Sequence, residues 1–400
     1  MKGSSVDLLE DRVAGVLAGA VVGDALGGAT EGWTPEQIEE RHGGRVTGIV
    51  GPFLDDWRTA RPIAPYHKGD GHVTDDTLMT HALIEVYAAR RTHLDAYHVA
   101  SDLVPIMIGS PRWIPELEQE ALILQRVFLA EKWIVAKLHY GHADPREAGV
   151  GNIVNCGAAM YMAPVGLVNI GAPEAAYAEA IDIAGAHQSS YGREAAGVFA
   201  AAVARSAVPG ASVSDVVDAA LRVAHDGTAE AIRAVRDAVA AFRDAGGSDD
   251  PRELGRVIRR AVAPYDTVGD AYRAMAMDAR LPSRTKSIEE LPAALGFVAG
   301  HNGDLRAAVL DAVNYGRDSD SIATMAGAIC GGLGGRDAVP TEWVGTITEA
   351  SRLDLDGVVA SMTDVVRDIA AADARRARER AAGIESLLGT PRPDGTDAAA

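Results

Sequence analysis

Only two cysteines, Cys156 and Cys330, occur in 400 residues. They exclude a disulfide framework and any cysteine-based zinc spacing, and they fit a reducing compartment. Aromatic residues make up 5% of the chain, whereas glycine alone occurs 43 times and alanine is abundant. A core of that composition has to rely on close approach of backbones more than on large side chains. Basic residues are outnumbered 38 to 56, a formal net charge of -18, which leaves no basic surface for nucleic acid or an anionic membrane. Long apolar runs are missing as well: the longest early one, Val13 to Gly23, ends at Asp24 and is too short to span a bilayer. The first residues carry Asp7, Glu10 and Asp11 in place of the apolar stretch of a signal peptide. The expectation is a cytoplasmic protein with neither nucleic-acid nor membrane partners.

Sustained alternation of apolar and polar residues is also missing, apart from a short extended candidate at 45–50. Helical periodicity dominates instead. Leu9, Val13, Val16, Leu17, Ala20 and Val21 recur at three- and four-residue steps, and Met79, Leu83, Val86 and Tyr87 make a second stripe. Further helices are predicted at about 116–139, 173–186, 193–207, 214–224, 229–244, 252–262, 306–314 and 321–333. The fold class is therefore all-α. Gly- and Pro-rich connections at 41–73 and 263–287 read as long loops, a feature often tied to function. Residues 373–380 read as a charged, solvated helix, and the Pro, Gly, Thr, Asp and Ala tail at 389–400 as disordered.

Two acidic clusters stand near opposite ends of the chain: Thr74-Asp75-Asp76-Thr77 and Asp318-Ser319-Asp320-Ser321. Each alternates carboxylates with hydroxyls just before a helical run. Taken singly, each reads as a helix cap with acids offsetting the macrodipole. Taken together they offer hard oxygen donors suited to Mg²⁺, Mn²⁺ or Ca²⁺. Two like charges at ~4 Å repel by about 4 kcal/mol at an effective dielectric near 20, so such a gathering needs compensating cations. A site requiring both clusters makes residues 6–345 one catalytic domain, with 346–388 a helical extension. Asp24 and Glu31 follow one another around Gly27-Gly28; Asp24 reads as a structural acid bonded to backbone N–H groups. His187 reads as a helix C-terminal cap, and Asn155-Cys156-Gly157-Ala158-Ala159-Met160 as a close-approach segment of small residues. Cys330 reads as a buried packing residue, and Cys156 as a packing residue or one that lines a pocket.

Five segments, in order, resemble the motifs of the ADP-ribosylglycohydrolases, a family that includes dinitrogenase reductase-activating glycohydrolase. They are GDALG with Glu31 after it, HVTDDT, GAAM followed by Ala163-Pro164, AHQSS, and GRDSDSIATMAGAI. The resemblance covers about residues 10–340. It implies a single compact multi-helix domain with a central binuclear Mg²⁺ or Mn²⁺ cleft. It also implies hydrolysis of the bond joining ADP-ribose to a protein side chain or a small acceptor. Carried over by motif, Thr74, Asp75, Asp76, Asp318, Asp320 and Ser321 correspond to metal ligands, Ser321 standing where the family more often has Thr. Glu31 corresponds to the loop glutamate that closes over the metals. The catalytic candidates are Glu31, Asp76 and Asp318; the substrate-binding candidates are Asn155, Cys156, Gly157 and His187.

Two departures from the family pattern stand out. Cys156 occupies the usual asparagine position of the middle motif, with Asn155 displaced by one, and Tyr161 replaces an arginine. These changes bear on the acceptor more than on the metal ligands. They leave room for a hydrolase of a small ribosylated metabolite or nucleoside-like compound, or for a non-enzymatic, crystallin-like binding protein on the same fold.

Overall fold

The computed structural model describes residues 7–52, 55, 68–114, 118–266 and 286–388. The expected tail at 389–400 and, within the expected loops at 41–73 and 263–287, residues 53–54, 56–67 and 267–285 lie outside these residues. The described chain is all-α apart from one two-stranded antiparallel pairing of Arg112–Ile114 with Gln119–Ala121. No described helix is long and apolar enough to cross a membrane.

The centre of the fold is an antiparallel pair of helices, Leu8–Gly27 and Ser319–Gly334. Gly15, Gly19, Gly23 and Gly27 recur every four residues and so lie along one face. A Cβ at each would strike backbone of the partner helix, at Gly331, Gly327, Ala323 and Ser319 respectively. Gly327 and Gly331 face Gly19 and Gly15 in the same way. The two backbones therefore touch, which only glycine allows. Almost every residue of both helices is buried. This is the close backbone packing that the poverty of aromatics implied.

Around this pair stand Pro173–Gly185, Ser190–Ser206, Val213–Val223, Asp226–Asp244, Glu253–Val262 and Leu305–Tyr315, with bounds within three residues of the stretches predicted, together with Lys286–Gly300, which the sequence pattern had not indicated. The helix Asp75–Arg90 begins with Thr74 as its N-cap, the side chain accepting from the Asp76 N–H. Helices Pro35–His42, Val104–Gly109 and Thr341–Ser351 were not foreseen, and the charged 373–380 stretch belongs to a longer helix, Leu355–Leu388. Ser351 braces the approach to the first acidic cluster: its Oγ accepts from Val73 N and donates to Gly71 O, both at 3.1 Å.

The helix expected over 116–139 is not continuous. Glu118 adopts φ 53°, turning the chain between the two short strands. Phe128 is extended between the helices Ile123–Arg126 and Leu129–Val135. Apolar periodicity continues across both breaks, so it could not reveal them. The break leaves the Phe128 N–H outside any helix, and it donates to Asp75 Oδ2 at 3.0 Å.

The glycine contact predicts an asymmetric response to alanine. Gly327→Ala should lower stability in denaturant melts by roughly 1–3 kcal/mol or more, because the added methyl meets the Gly19 carbonyl. Gly345→Ala lies in an exposed helix with open space around its Cβ and should raise stability by up to ~1 kcal/mol. Equal responses would show that the helix pair is not tightly locked.

Candidate metal centre

The antiparallel helix pair sets the end of one helix beside the start of the other. Asp24, in the last turn of Leu8–Gly27, is fully buried. It accepts from Thr74 N at 3.1 Å and 3.0 Å, from Thr74 Oγ1 at 2.6 Å, from Thr77 N at 3.1 Å and from Thr77 Oγ1 at 2.5 Å. It is the structural acid anticipated, and it ties the first acidic cluster to the central helix.

The Glu31 loop is stitched to the second cluster in the same manner. Thr30 Oγ1 donates to Val313 O at 2.7 Å, and Ser319 Oγ donates to Gly27 O at 2.9 Å. Gly32 N donates to Arg317 O at 2.5 Å and Arg317 N to Trp33 O at 3.1 Å. Arg317 itself adopts φ 59°, and its guanidinium is held by Glu289 at 2.6 Å and Asp266 at 3.0 Å. Asp318 then occupies the N-cap position without making a side-chain capping bond, so its carboxylate is available to the cluster.

The result is a convergence of acids. Oxygens of Glu31, Asp318 and Asp320 all lie within 4.8 Å of one another. Asp76 is 2% exposed, and its Oδ2 has no hydrogen-bond partner among the described residues. Burial, followed by the charges of Asp320, Asp24, Asp75 and Asp318, pushes the Asp76 carboxyl well above its ordinary range. Burial and then Glu131 push Asp75 up to about 7. Burial and then Asp320 push Asp318 up to about 7. Asp320 is the exception: burial opposes its ionisation, yet the Lys68 ammonium and the surrounding hydrogen bonds hold it below the usual range. Lys68 Nζ bridges Glu31 Oε2 and Asp320 Oδ2, the latter at 3.0 Å.

Hard oxygen donors, mutual repulsion and a buried carboxylate oxygen lacking a donor together fit a divalent cation. Of the candidate ligands, Asp318 and Asp320 lie in this cluster with Glu31, Thr74 is tied to Asp24 beside it, and Asp75 and Asp76 feel the charge of Asp320. Ser321 is 3% exposed, at the start of the same helix as Asp320, and its N–H donates to Asp320 Oδ1 at 3.1 Å.

The remaining candidates form a wall beside the cluster. Asn155 Oδ1 accepts from Gly157 N at 3.0 Å and from Gln188 Nε2 at 2.8 Å. His187 is fully buried; its Nδ1 lies 3.1 Å from the Tyr161 hydroxyl and its Nε2 3.4 Å from Glu131 Oε1. Its partners are these side chains, so it is not the plain helix cap that sequence position alone suggested. A Cβ on Gly157 would strike Glu131 Oε1 and crowd Asn155, which explains glycine there. Cys156 is more than packing: its Sγ donates to Asp318 Oδ2 at 2.8 Å. Burial and then the Asp318 charge push that thiol well above its ordinary range. Cys330 is buried in an apolar helix, as expected.

Sequence reasoning missed Lys68, Glu131 and Glu290. Lys68 lies six residues before Thr74 within a loop already marked as functional, and it supplies a cation the clustered acids require. Glu131 and Glu290 are buried acids on otherwise apolar helix faces, where a charge among alanines and leucines is the available signal.

The raised carboxyls fix a pH dependence. A carboxyl raised in the folded state binds its proton more tightly there than in the unfolded chain. Its contribution to stability is present below the unfolded value near 3.8 and is lost as pH rises through about 7. In chelator, the melting temperature should therefore fall between about pH 4 and 7, and Mg²⁺ or Mn²⁺ should flatten that fall. Thermal melts across this range, with and without metal, check it; a rising profile in chelator would refute the clustering.

The chain is similar to known proteins. A curated protein of Escherichia coli K12, described as uncharacterized protein YegU, is 24% identical over 350 residues, covering 86% of this chain and 94% of its own. An uncharacterized protein of Archaeoglobus fulgidus is 27% identical over 351 residues, covering 84% and 91%. A solved chain described as "ADP-ribosylglycohydrolase-related protein complex" shares the fold, with a TM-score of 0.53 at 18% identity over 91% of this chain and 99% of that one. The ADP-ribosylglycohydrolase family model matches residues 5–379. The family is metal-dependent and acts on ADP-ribosylated substrates. With that match over nearly its whole length, the chain belongs to the ADP-ribosylglycohydrolase family.

Proposed function

We propose that this protein hydrolyses the ribosyl glycosidic bond of an ADP-ribosylated protein or small acceptor. The reading rests on one observation above others: carboxylate oxygens of Glu31, Asp318 and Asp320 converge within 4.8 Å. Thr74, Asp75, Asp76, Asp318, Asp320 and Ser321 would hold two Mg²⁺ or Mn²⁺ ions. When bound, those ions would supply Lewis acidity and a fixed seat for the ribose hydroxyls.

Cleavage builds positive charge at the anomeric carbon, and the ring of carboxylates favours that charge. Glu31, Asp76 and Asp318 are the residues placed to take the proton of the attacking water; Glu31, on a loop instead of a helix end, is the one assigned that role. General base help of this kind contributes roughly 10²–10⁴-fold. Asn155, Cys156, Gly157 and His187 orient the substrate along the adjoining wall. Residues 6–345 form the catalytic unit in this reading, and the extension at 346–388 supports it through Ser351.

The double substitution Asp318→Ala/Asp320→Ala should reduce release of ADP-ribose from ADP-ribosyl-arginine to background. Calorimetric titration of the same variant with Mg²⁺ and Mn²⁺ should show no binding. Retained turnover would defeat the proposal. A second reading, cleavage of a small ribosylated metabolite, draws support from the Tyr161 hydroxyl at His187 and the Cys156 thiol at Asp318. Assay against a panel of free ribosides separates the two: turnover confined to the panel favours the second.

A further inference from the structure

Cys156, Glu290 and Asp318 reach one point from three separate elements. Cys156 opens the turn Cys156–Ala158, Glu290 lies in the helix Lys286–Gly300, and Asp318 caps Ser319–Gly334. The Cys156 sulfur and one oxygen of each acid lie within 4.8 Å of one another. Cys156 is 3% exposed and Glu290 0%. Apolar packing does not account for this arrangement, because the thiol meets two buried acids instead of a hydrocarbon wall. Asp76, a further buried acid, has an Oδ2 with no hydrogen-bond partner among the described residues.

We propose that Cys156, Glu290 and Asp318 form a mixed sulfur–oxygen site for a thiophilic divalent cation of the zinc, cobalt(II) or cadmium class. Asp318 is shared with the all-oxygen set of Glu31 and Asp320. Soft thiolate selects such ions over magnesium. Metal–sulfur and metal–oxygen bonds of about 2.3 Å and 2.0–2.2 Å place tetrahedral S and O ligands about 3.6 Å apart, a spacing the three residues reach with small side-chain shifts. On binding, the S–H proton leaves to solvent and a metal–sulfur bond takes its place; no oxidant is involved. The inference goes beyond the hydrolase reading, and the test below needs no substrate or turnover, so the two fail independently.

The test is anaerobic titration of the full-length, chelator-treated protein with Co²⁺. A near-ultraviolet sulfur-to-cobalt charge-transfer band should grow in, survive Cys330→Ser and vanish in Cys156→Ser. Glu290→Gln should weaken cobalt affinity roughly tenfold or more. A wild-type titration without the band, or a band that persists in Cys156→Ser, overturns the site. If Cys156→Ser fails to fold, cadmium-113 spectroscopy of the wild-type chain decides. A resonance displaced by a thiolate ligand supports the site, and its absence at saturating cadmium overturns it.

Discussion

Backbone-to-backbone contact between Leu8–Gly27 and Ser319–Gly334 is the constraint on which the rest of the molecule depends. Four glycines on one helix meet small residues on the other, so the two backbones come into direct contact. Because the pair is antiparallel, this contact delivers the start of the second helix to the end of the first. Asp318 and Asp320 are thereby placed beside Gly27, and Asp24 sits one turn away to anchor Thr74 and Thr77. Segments some 240 residues apart in sequence meet because two helices carry almost no side chain between them. A single added methyl along that seam acts on the site as well as on the core.

The electrostatics of the cluster follow from this placement. Helices Asp75–Arg90 and Ser319–Gly334 both present their N-termini to the acids, and the positive ends of their dipoles favour carboxylates there. Phe128 N–H and Ser321 N–H add donors, and Lys68 adds a full charge. The compensation is uneven. Asp320, next to Lys68, stays in the low range, whereas Asp75, Asp76 and Asp318 are driven upward by burial and by one another. The guanidinium of Arg317, adjacent in sequence to Asp318, is held by two other acids, Glu289 and Asp266. Carboxyls raised in this way fit an added divalent cation, which would offset their mutual repulsion.

Much of this was legible in the sequence because it is local. Hydroxyl–carboxylate alternation before a helical stripe locates Thr74–Thr77 and Asp318–Ser321, and the Gly23-Asp24 segment identifies Asp24 as a backbone acceptor. Helix positions were legible wherever one apolar stripe ran unbroken. The breaks at Glu118 and Phe128 were hidden because the apolar period persists through them, and their cause is tertiary: Phe128 gives its N–H to Asp75. Lys68, Glu131 and Glu290 were hidden for a related reason. A single charge in a loop or on an apolar face announces itself only when the fold shows what it faces.

The division between the cluster and its wall bears on how such a protein changes its chemistry. The oxygen donors sit at helix ends fixed by the glycine seam, where a shift of backbone is costly. Asn155, Cys156, Gly157 and His187 instead stand on turns and helix termini that are held by side chains. Asn155 is fixed by Gln188, His187 by Tyr161 and Glu131, and Cys156 by Asp318. Replacing a wall residue therefore rearranges a few hydrogen bonds without moving the seam. Cys156 is the position where the two parts meet, since it belongs to the wall by its backbone and to the cluster by its sulfur. A change of residue there alters the wall and the hydrogen bonding of Asp318 together.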